Sequence, residues 1–368
     1  MPTPPHDNAG EPSQGTPSAG SRRRVTLREV AERAGVSRSA ASFAMTGRKD
    51  QRISAATVAA VRQAAEELGY RPNLNAKALR TGRTGTVGLV SDFISSTSTA
   101  NALIRGAQRE LRAHGALLFT VDTEGDERTE RSLLNNLLDR QVDGILYASM
   151  FTREVQVPAV PAGTGMVLVN CVPAGDVAIP AVIPDEVGAG RFAAQALLDA
   201  GHTSGIHFIG VFPAGVTGGR QWHGWSPLAL PDRLAGIASA LDAAGVNLAS
   251  KLATVEWDVS AGRAAVEELL ASGVTVKALI CVNDDVAAGA LQELRAHGLS
   301  VPADVSIVSF DDSAVARVTD PPLSSIALPH EQLGRTAAAM LMDPGVRETV
   351  VRIPSAPPRP TSIAAPRA

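Results

Sequence analysis

Asp92, Asn170, Asn283 and the pair Asp311-Asp312 each follow a short apolar, β-rich run: TVGLVS, VLV, LICV and SIVSF respectively. Carboxylates and amides at strand ends suit a polyhydroxylated ligand, because every hydroxyl both donates and accepts a hydrogen bond. Ser96, close behind Asp92 and accompanied by Ser98, belongs to the same set. Each has a plain structural alternative: Asn283 or Asp284 as the cap of the helix DDVAAGALQEL, Asp311-Asp312 as a turn. Arg38, Ser39 and Ala40 suggest a second chemistry, the reading of base edges in DNA. Arg38 suits guanine O6 and N7, Ser39 is less selective, and Ala40 suits a thymine methyl. A third chemistry, catalysis, finds no constellation. His202, His207, His297 and His330 lack metal-ligand spacing, no G-x-S-x-G or Walker loop occurs, and Gly188-Ala189-Gly190 lacks the strand-turn-helix context of a dinucleotide site. Cys171 and Cys281 both stand in apolar runs and read as buried, inert thiols. No cofactor and no metal is expected.

The elements that must position these residues change character along the chain. From position 86 onward, short strand candidates (86–90, 116–121, 144–147, 166–169, 181–183, 206–209, 252–255, 278–282, 306–310 and 324–327) alternate with amphipathic helical stretches. That alternation predicts βαβ units around parallel sheets, and the strands are too many for one small sheet. Two doubly wound lobes are expected, with ligands bound in the crevice outside the carboxyl ends of their strands.

Residues 25–68 read differently, as three short helices. Thr26 and Glu29 have the spacing of a capping box, with Val25 and Val30 in staple positions. Leu27, Val30, Ala31 and Ala34 line one face, and Gly35 stops the helix. Ser37 caps the second helix and Ser54 the third. This pattern is a helix-turn-helix, whose second helix would present Arg38, Ser39 and Ala40 to the major groove. Beyond it Pro72 breaks the chain and Asn73 can cap a new helix. That segment, to about Arg80, is too short to be helical alone and is expected to fold only on DNA.

The run VTLREVAERAGVSRSAAS over positions 25–42, followed by ISAATVAAVRQAAEELGYRPN and AKALRTGRT, resembles the lactose-repressor (LacI) family of bacterial transcription regulators, and the resemblance continues through most of the remaining chain. It implies a three-helix DNA-binding domain with a hinge helix, followed by a two-lobed periplasmic-binding-protein-like α/β body. It also implies a homodimer on a near-palindromic operator, controlled by a small-molecule effector, with a sugar as first expectation and another metabolite as the alternative. Two hinges would insert Leu79 into the minor groove while Lys77, Arg80 and Arg83 neutralise phosphates. Thr26, Ser37, Arg38, Ser39, Ala40, Phe43, Asn73, Lys77 and Leu79 become the expected DNA-binding set. The match PDRLAG puts Arg233 where the family contacts its effector, and Trp257 falls at the family's aromatic position over the ligand. Asp92, Ser96, Asn170, Arg233, Trp257, Asn283 and Asp311 are thus the expected effector set. Departures are Ala41 for the usual Val, Phe43 for Arg or Tyr, Asn170 for Asp and Leu328 for Gln.

The expected divisions are a disordered arm (1–21), the helix-turn-helix (22–71), the hinge (72–84), the body (85–358) and a loose tail (359–368). Within the body, one lobe is 85–183 plus 329–346 and the other 184–328 plus 347–358. The tryptophans of the loop TGGRQWHGWSPLALP, Trp222 and Trp225, could serve the cleft or a partner, with packing of the loop itself as the equal alternative. Charge is sorted along the chain: residues 1–84 carry 14 Lys and Arg against 7 Asp and Glu, which leaves −10 of the total −3 on the remainder. A basic amino-terminal module on an acidic body is what double-stranded DNA as a partner predicts. No apolar run is long enough for a membrane span or placed as a signal peptide, so the cytoplasm is the expected compartment. A solute receptor with the same body would need export and has no use for a helix-turn-helix.

Overall fold

The computed structural model describes residues 25–46, 53–71, 78–79, 81–95, 97, 99–211, 228–254, 256–343, 345 and 349–367. The expected arm, the loop holding Trp222 and Trp225, and Asn73, Lys77, Arg80, Ser96 and Ser98 lie outside these residues. The chain divides into two units, residues 1–80 and 81–368. No helix among the described residues is long and apolar enough to cross a membrane.

The first unit holds α1 (Leu27–Arg33), α2 (Arg38–Thr46) and α3 (Ala55–Glu67). Each start is fixed by a bond three residues long. The Thr26 hydroxyl accepts from Glu29 N–H at 3.4 Å while Glu29 accepts from Thr26 N–H at 2.7 Å, completing the capping box. Ser37 and Ser54 accept from the N–H groups of Ala40 and Thr57, both at 3.1 Å. Gly35, at φ 68°, takes the left-handed turn between α1 and α2 at no steric cost. The core consists of Val30, Ala31, Ala41, Ala44, Val61, Ala64 and Ala65. These small residues let three short helices approach closely, and Ala41 is fully buried among them. Arg33 pairs with Glu67 at 2.6 Å, joining the ends of α1 and α3.

The second unit has two parallel sheets. Its strands are β1 (Thr86–Ser91), β2 (Leu117–Asp122), β3 (Gly144–Val155), β4 (Gly165–Pro173), β5 (Ala181–Pro184), β6 (Ile206–Val211), β7 (Ser250–Ala253), β8 (Ala278–Cys281), β9 (Ser306–Phe310), β10 (Ser324–Ile326) and β11 (Val350–Ile353). The first sheet runs β11-β5-β4-β3-β1-β2 and the second β10-β9-β8-β6-β7. Helices α4 (Ala100–Ala113), α5 (Glu127–Asp139) and α11 (His330–Met342) cover the first. The second is covered by α6 (Glu186–Asp199), α7 (Ala229–Ala243), α8 (Val259–Ala271) and α9 (Asp284–Ala296), with the short α10 (Ala314–Val318) after β9. In both sheets a strand has its sequential successors on opposite sides, β1 between β2 and β3 and β6 between β7 and β8. That is the strand order which opens a crevice at the carboxyl ends.

Two expectations are corrected. Residues 347–358 were expected in the second lobe, yet β11 pairs in register with β5 in the first sheet. Its sequence VVRI is a short, half-exposed edge strand whose central Arg352 breaks the apolar signal of a buried strand. The tail at 359–368 is not loose. Ser362 is buried, its hydroxyl donates to the Ile307 carbonyl at 2.6 Å, and Ile363 joins the second lobe's core. Proline-rich composition masked this seal, which the chain closes with Ser and Ile rather than with a strand.

Candidate functional site

In the first unit, the beginning of α2 is built for contact with a partner. Arg38 and Ser39 are exposed, Ala40 and Phe43 half-buried, and the helix has no acidic residue in its first turn. Its N-terminus thus carries no acidic side chain of its own first turn, a setting that favours phosphate oxygens. The Ser37 hydroxyl and the Thr26 hydroxyl are used as caps, so each has a structural role besides any contact. Leu79 is 90% exposed, an apolar side chain with no protein cover.

In the second unit, the crevice between the sheets is a cavity of about 370 Å³. Five of the seven effector candidates line it: Asn170, Arg233, Trp257, Asn283 and Asp311. Arg233, on α7, is 5% exposed, yet its charge is matched. Its Nε and Nη2 reach Glu186 Oε2 at 2.9 and 2.8 Å, Nη1 donates to the Val282 carbonyl at 2.6 Å, and the guanidinium lies 4.1 Å from the Phe310 ring centre. Burial pushes the Glu186 carboxyl up while Arg233 pulls against it. This placement depends on α6 and α7 touching. A Cβ added at Gly190 would stand 2.0 Å from the Arg233 carbonyl oxygen, and one at Gly236 2.0 Å from that of Val187. Gly190, part of the G-A-G rejected above as a nucleotide loop, is thus a helix-contact residue that seats Arg233.

Asn283 serves as the helix cap its plain alternative described. Its Oδ1 accepts from Val286 N–H at 2.9 Å and its Nδ2 donates to the Trp257 carbonyl at 3.0 Å. Trp257 donates its indole N–H to the Gly210 carbonyl at 2.9 Å and meets Phe151 edge-on, ring centres 6.4 Å apart. Asn170, at φ 57°, donates to the Ser149 carbonyl at 2.9 Å and accepts from the Thr152 hydroxyl at 2.6 Å. Asp311, at φ 103°, takes no hydrogen bond on its carboxylate from the described residues, and burial together with the Asp284 charge pushes it up to about 7.

Asp92 does not line the cavity. Its carboxylate is consumed by Met150 N–H at 2.7 Å, Ser149 Oγ at 2.9 Å and Arg153 at 2.9 Å, so it clamps β3 to the end of β1. The strand-end rule selected the right turn and the wrong side chain: the next residue, Phe93, is the one that faces the cleft. Sequence reasoning also missed Phe151, Thr152, Glu186, Asp285 and His330 in the lining, whereas Leu328, noted as a departure, is there. Glu186 and His330 begin helices directly after the chain crosses between lobes, and that crossover is the signal that could have found them. Burial and the Arg233 charge push His330 down to about 4, and its Nε2 is buried with no partner. Both cysteines are buried outside the lining, the Cys171 thiol pushed up to about 12. Among the described residues no cluster of His, Cys, Asp or Glu is arranged to hold a metal ion.

Comparison with known proteins places both units. Residues 26–73 match the family described as bacterial regulatory proteins, lacI family, and residues 85–359 the periplasmic binding proteins and sugar binding domain of LacI family. The ribose operon repressor of Escherichia coli K12 is 31% identical over 86% of this chain and 92% of its own. The HTH-type transcriptional regulator CelR of Thermobifida fusca is 34% identical over 89% and 94%. A solved CelR–cellobiose complex superposes with a TM-score of 0.60 at 28% identity, covering 90% of this chain and 98% of that one. The lac repressor dimer bound to operator shares the fold, with a TM-score of 0.72 at 21% identity over 93% and 100%.

Proposed function

The chain belongs to the lacI family of bacterial regulatory proteins, and on that premise we propose that it is a sequence-specific transcription repressor whose operator affinity is set by a sugar in the inter-lobe cleft. The observation that carries this reading is one chain holding both a capped helix-turn-helix with Arg38 and Ser39 exposed at the start of α2, and a cleft lined by amides, carboxylates, a matched guanidinium and aromatic faces. One reading helix gives a short, weak site, so a two-fold dimer on a near-palindromic operator follows. Exposed Leu117 and Phe119 on the edge strand β2 offer an apolar surface for the second copy. Leu79 would wedge into the minor groove at the dyad, and closure of the cleft would shift the relation of the two first lobes and hence the folding of the hinge. On this reading the cleft is a binding site; its described lining holds no Ser, Cys or Lys side chain, and burial keeps its one imidazole neutral.

The test is an anisotropy titration of the purified chain on DNA from upstream of its own and neighbouring genes, at fixed salt, with and without ribose, galactose and cellobiose. A specific complex whose affinity one sugar changes at least tenfold is the expected result. Equal affinity for operator and scrambled DNA would overturn it.

A further inference from the structure

We propose, building on the reading of the cleft as the effector site, that it selects by charge: it admits neutral or amine-bearing polyols and rejects phosphorylated and carboxylated ones. Arg233 is the one cationic side chain among the described lining residues, and Glu186 already holds two of its nitrogens at 2.8 and 2.9 Å. Its remaining N–H groups can donate to a hydroxyl, but its charge is spent. His330 does not replace it. It is 9% exposed, its Nε2 is buried without a partner, and burial beside Arg233 keeps the ring neutral, so it offers a ligand one hydrogen bond and no charge.

Against this stand carboxylates. Asp285 and Asp311 line the cavity, and no described residue hydrogen-bonds either side chain. Asp258 lines it too, with only Oδ1 engaged, at 2.8 Å from Ala261 N–H. Asp284 lies behind them, buried, accepting from Ser309 Oγ at 2.5 Å and Ser313 N–H at 2.7 Å. Hydroxyls and ammonium groups satisfy such acceptors, whereas an anion meets like charges in a cavity that screens them poorly. That arrangement weakens binding of an anion by about tenfold or more.

The experiment uses the full chain and matched ligands on three skeletons: ribose and ribose 5-phosphate; glucose, glucosamine and glucose 6-phosphate; galactose, galactosamine and galacturonate. Calorimetric titration should find any anionic member at least tenfold weaker than its neutral parent, and the amine equal or tighter. An anionic member binding as well as its parent overturns the proposal.

A ligand-free arm decides the case if none of these skeletons binds. Burial first, then the charges of Asp284, Glu186 and Asp285 set against that of Arg233, hold the Asp311 carboxyl near 7 against 3.8 in an ordinary setting. The Asp311 contribution to stability is therefore lost as pH rises from about 4 to about 7, opposite in sense to that of His330, so the difference between variant and wild type is the quantity to read. D311N keeps the shape and tolerates the positive φ, so it should raise the melting temperature at pH 8 by about 2 °C or more, and by less at pH 5. An unchanged or lowered value at pH 8 overturns the proposal. Failure of specific DNA binding would strike the regulator reading alone. An anionic effector that alters the DNA complex would uphold that reading and overturn this one.

Discussion

The DNA-reading unit and the cleft handle their polar groups in opposite ways. In the first, apart from the Arg33–Glu67 pair that joins α1 to α3, the polar bonds named join residues three or four apart: Thr26 with Glu29, Ser37 with Ala40, Ser54 with Thr57, Arg28 with Glu32. In the second they span the chain: Arg233 reaches Glu186 and Val282, Asn283 reaches the Trp257 carbonyl, and Asp92 holds β3. The first unit spends its polar groups on its own helix starts and leaves Arg38 and Ser39 outward for a partner. The cleft is held together by the side chains that line it. Function and stability should therefore separate under mutation in the first unit and fall together in the second.

The largest effect expected of that difference is at Arg233. Arg233→Ala leaves Glu186 buried and unpaired and uncovers Phe310, a loss of about 3–5 kcal/mol in the body's stability. Chemical denaturation should show that loss together with loss of the effector response, while effector-free operator binding survives at temperatures where the variant is folded. A response lost without destabilisation would break the comparison, because Arg233 would then act on the ligand alone.

Arg38→Ala is the counterpart in the first unit. Specific affinity should fall by about 1–3 kcal/mol, roughly 5- to 150-fold, with no change in melting temperature, since the side chain is exposed. Leu79→Ala should weaken operator binding more than binding to scrambled DNA, again without a change in stability, because the side chain is 90% exposed. Equal losses on both DNAs would remove Leu79 from the dyad.

The same contrast explains what was legible in the residues. Caps, staple and turn glycine are local rules, and the first unit follows them from Thr26 to Leu68. Both sheets were legible as βαβ alternation, and the crevice followed from strand order. Which side chains face that crevice was not, because it depends on partners tens of residues away. Asp92 is occupied by Met150 and Arg153, and Asn283 is a cap, while Glu186 and His330 enter only because helices starting at crossovers point their first turn inward. Strand β11 was missed for a different reason: an edge strand need not be apolar throughout.

His330 sharpens the comparison by pH. Its folded value near 4 lies below the ordinary 6.5, so its contribution is present above 6.5 and is lost as pH falls towards 4. At pH 5 the wild type should have lost about 1–2 kcal/mol that His330→Asn does not lose. Asp311 titrates in the opposite sense over part of this range, so the difference between variant and wild type is the quantity to read. Parallel pH profiles for the two would mean that the imidazole has a partner in solution.

The smallest effect is also the most local. The two arms of the capping box are unequal: Glu29 accepts from Thr26 N–H at 2.7 Å, whereas the Thr26 hydroxyl accepts from Glu29 N–H at 3.4 Å. Thr26→Ala removes the long arm and the bond that the same hydroxyl donates to Glu29 Oε2 at 2.8 Å, but leaves the short arm, which ends on backbone, and should cost about 0.5 kcal/mol. Glu29→Ala removes the short arm and a negative charge beside the helix N-terminus, and should cost about 1 kcal/mol. Amide hydrogen exchange over residues 27–33 reads both directly. If Thr26→Ala accelerates exchange more than Glu29→Ala does, the hydroxyl carries the cap, and α1 begins by the usual threonine rule instead of by its glutamate.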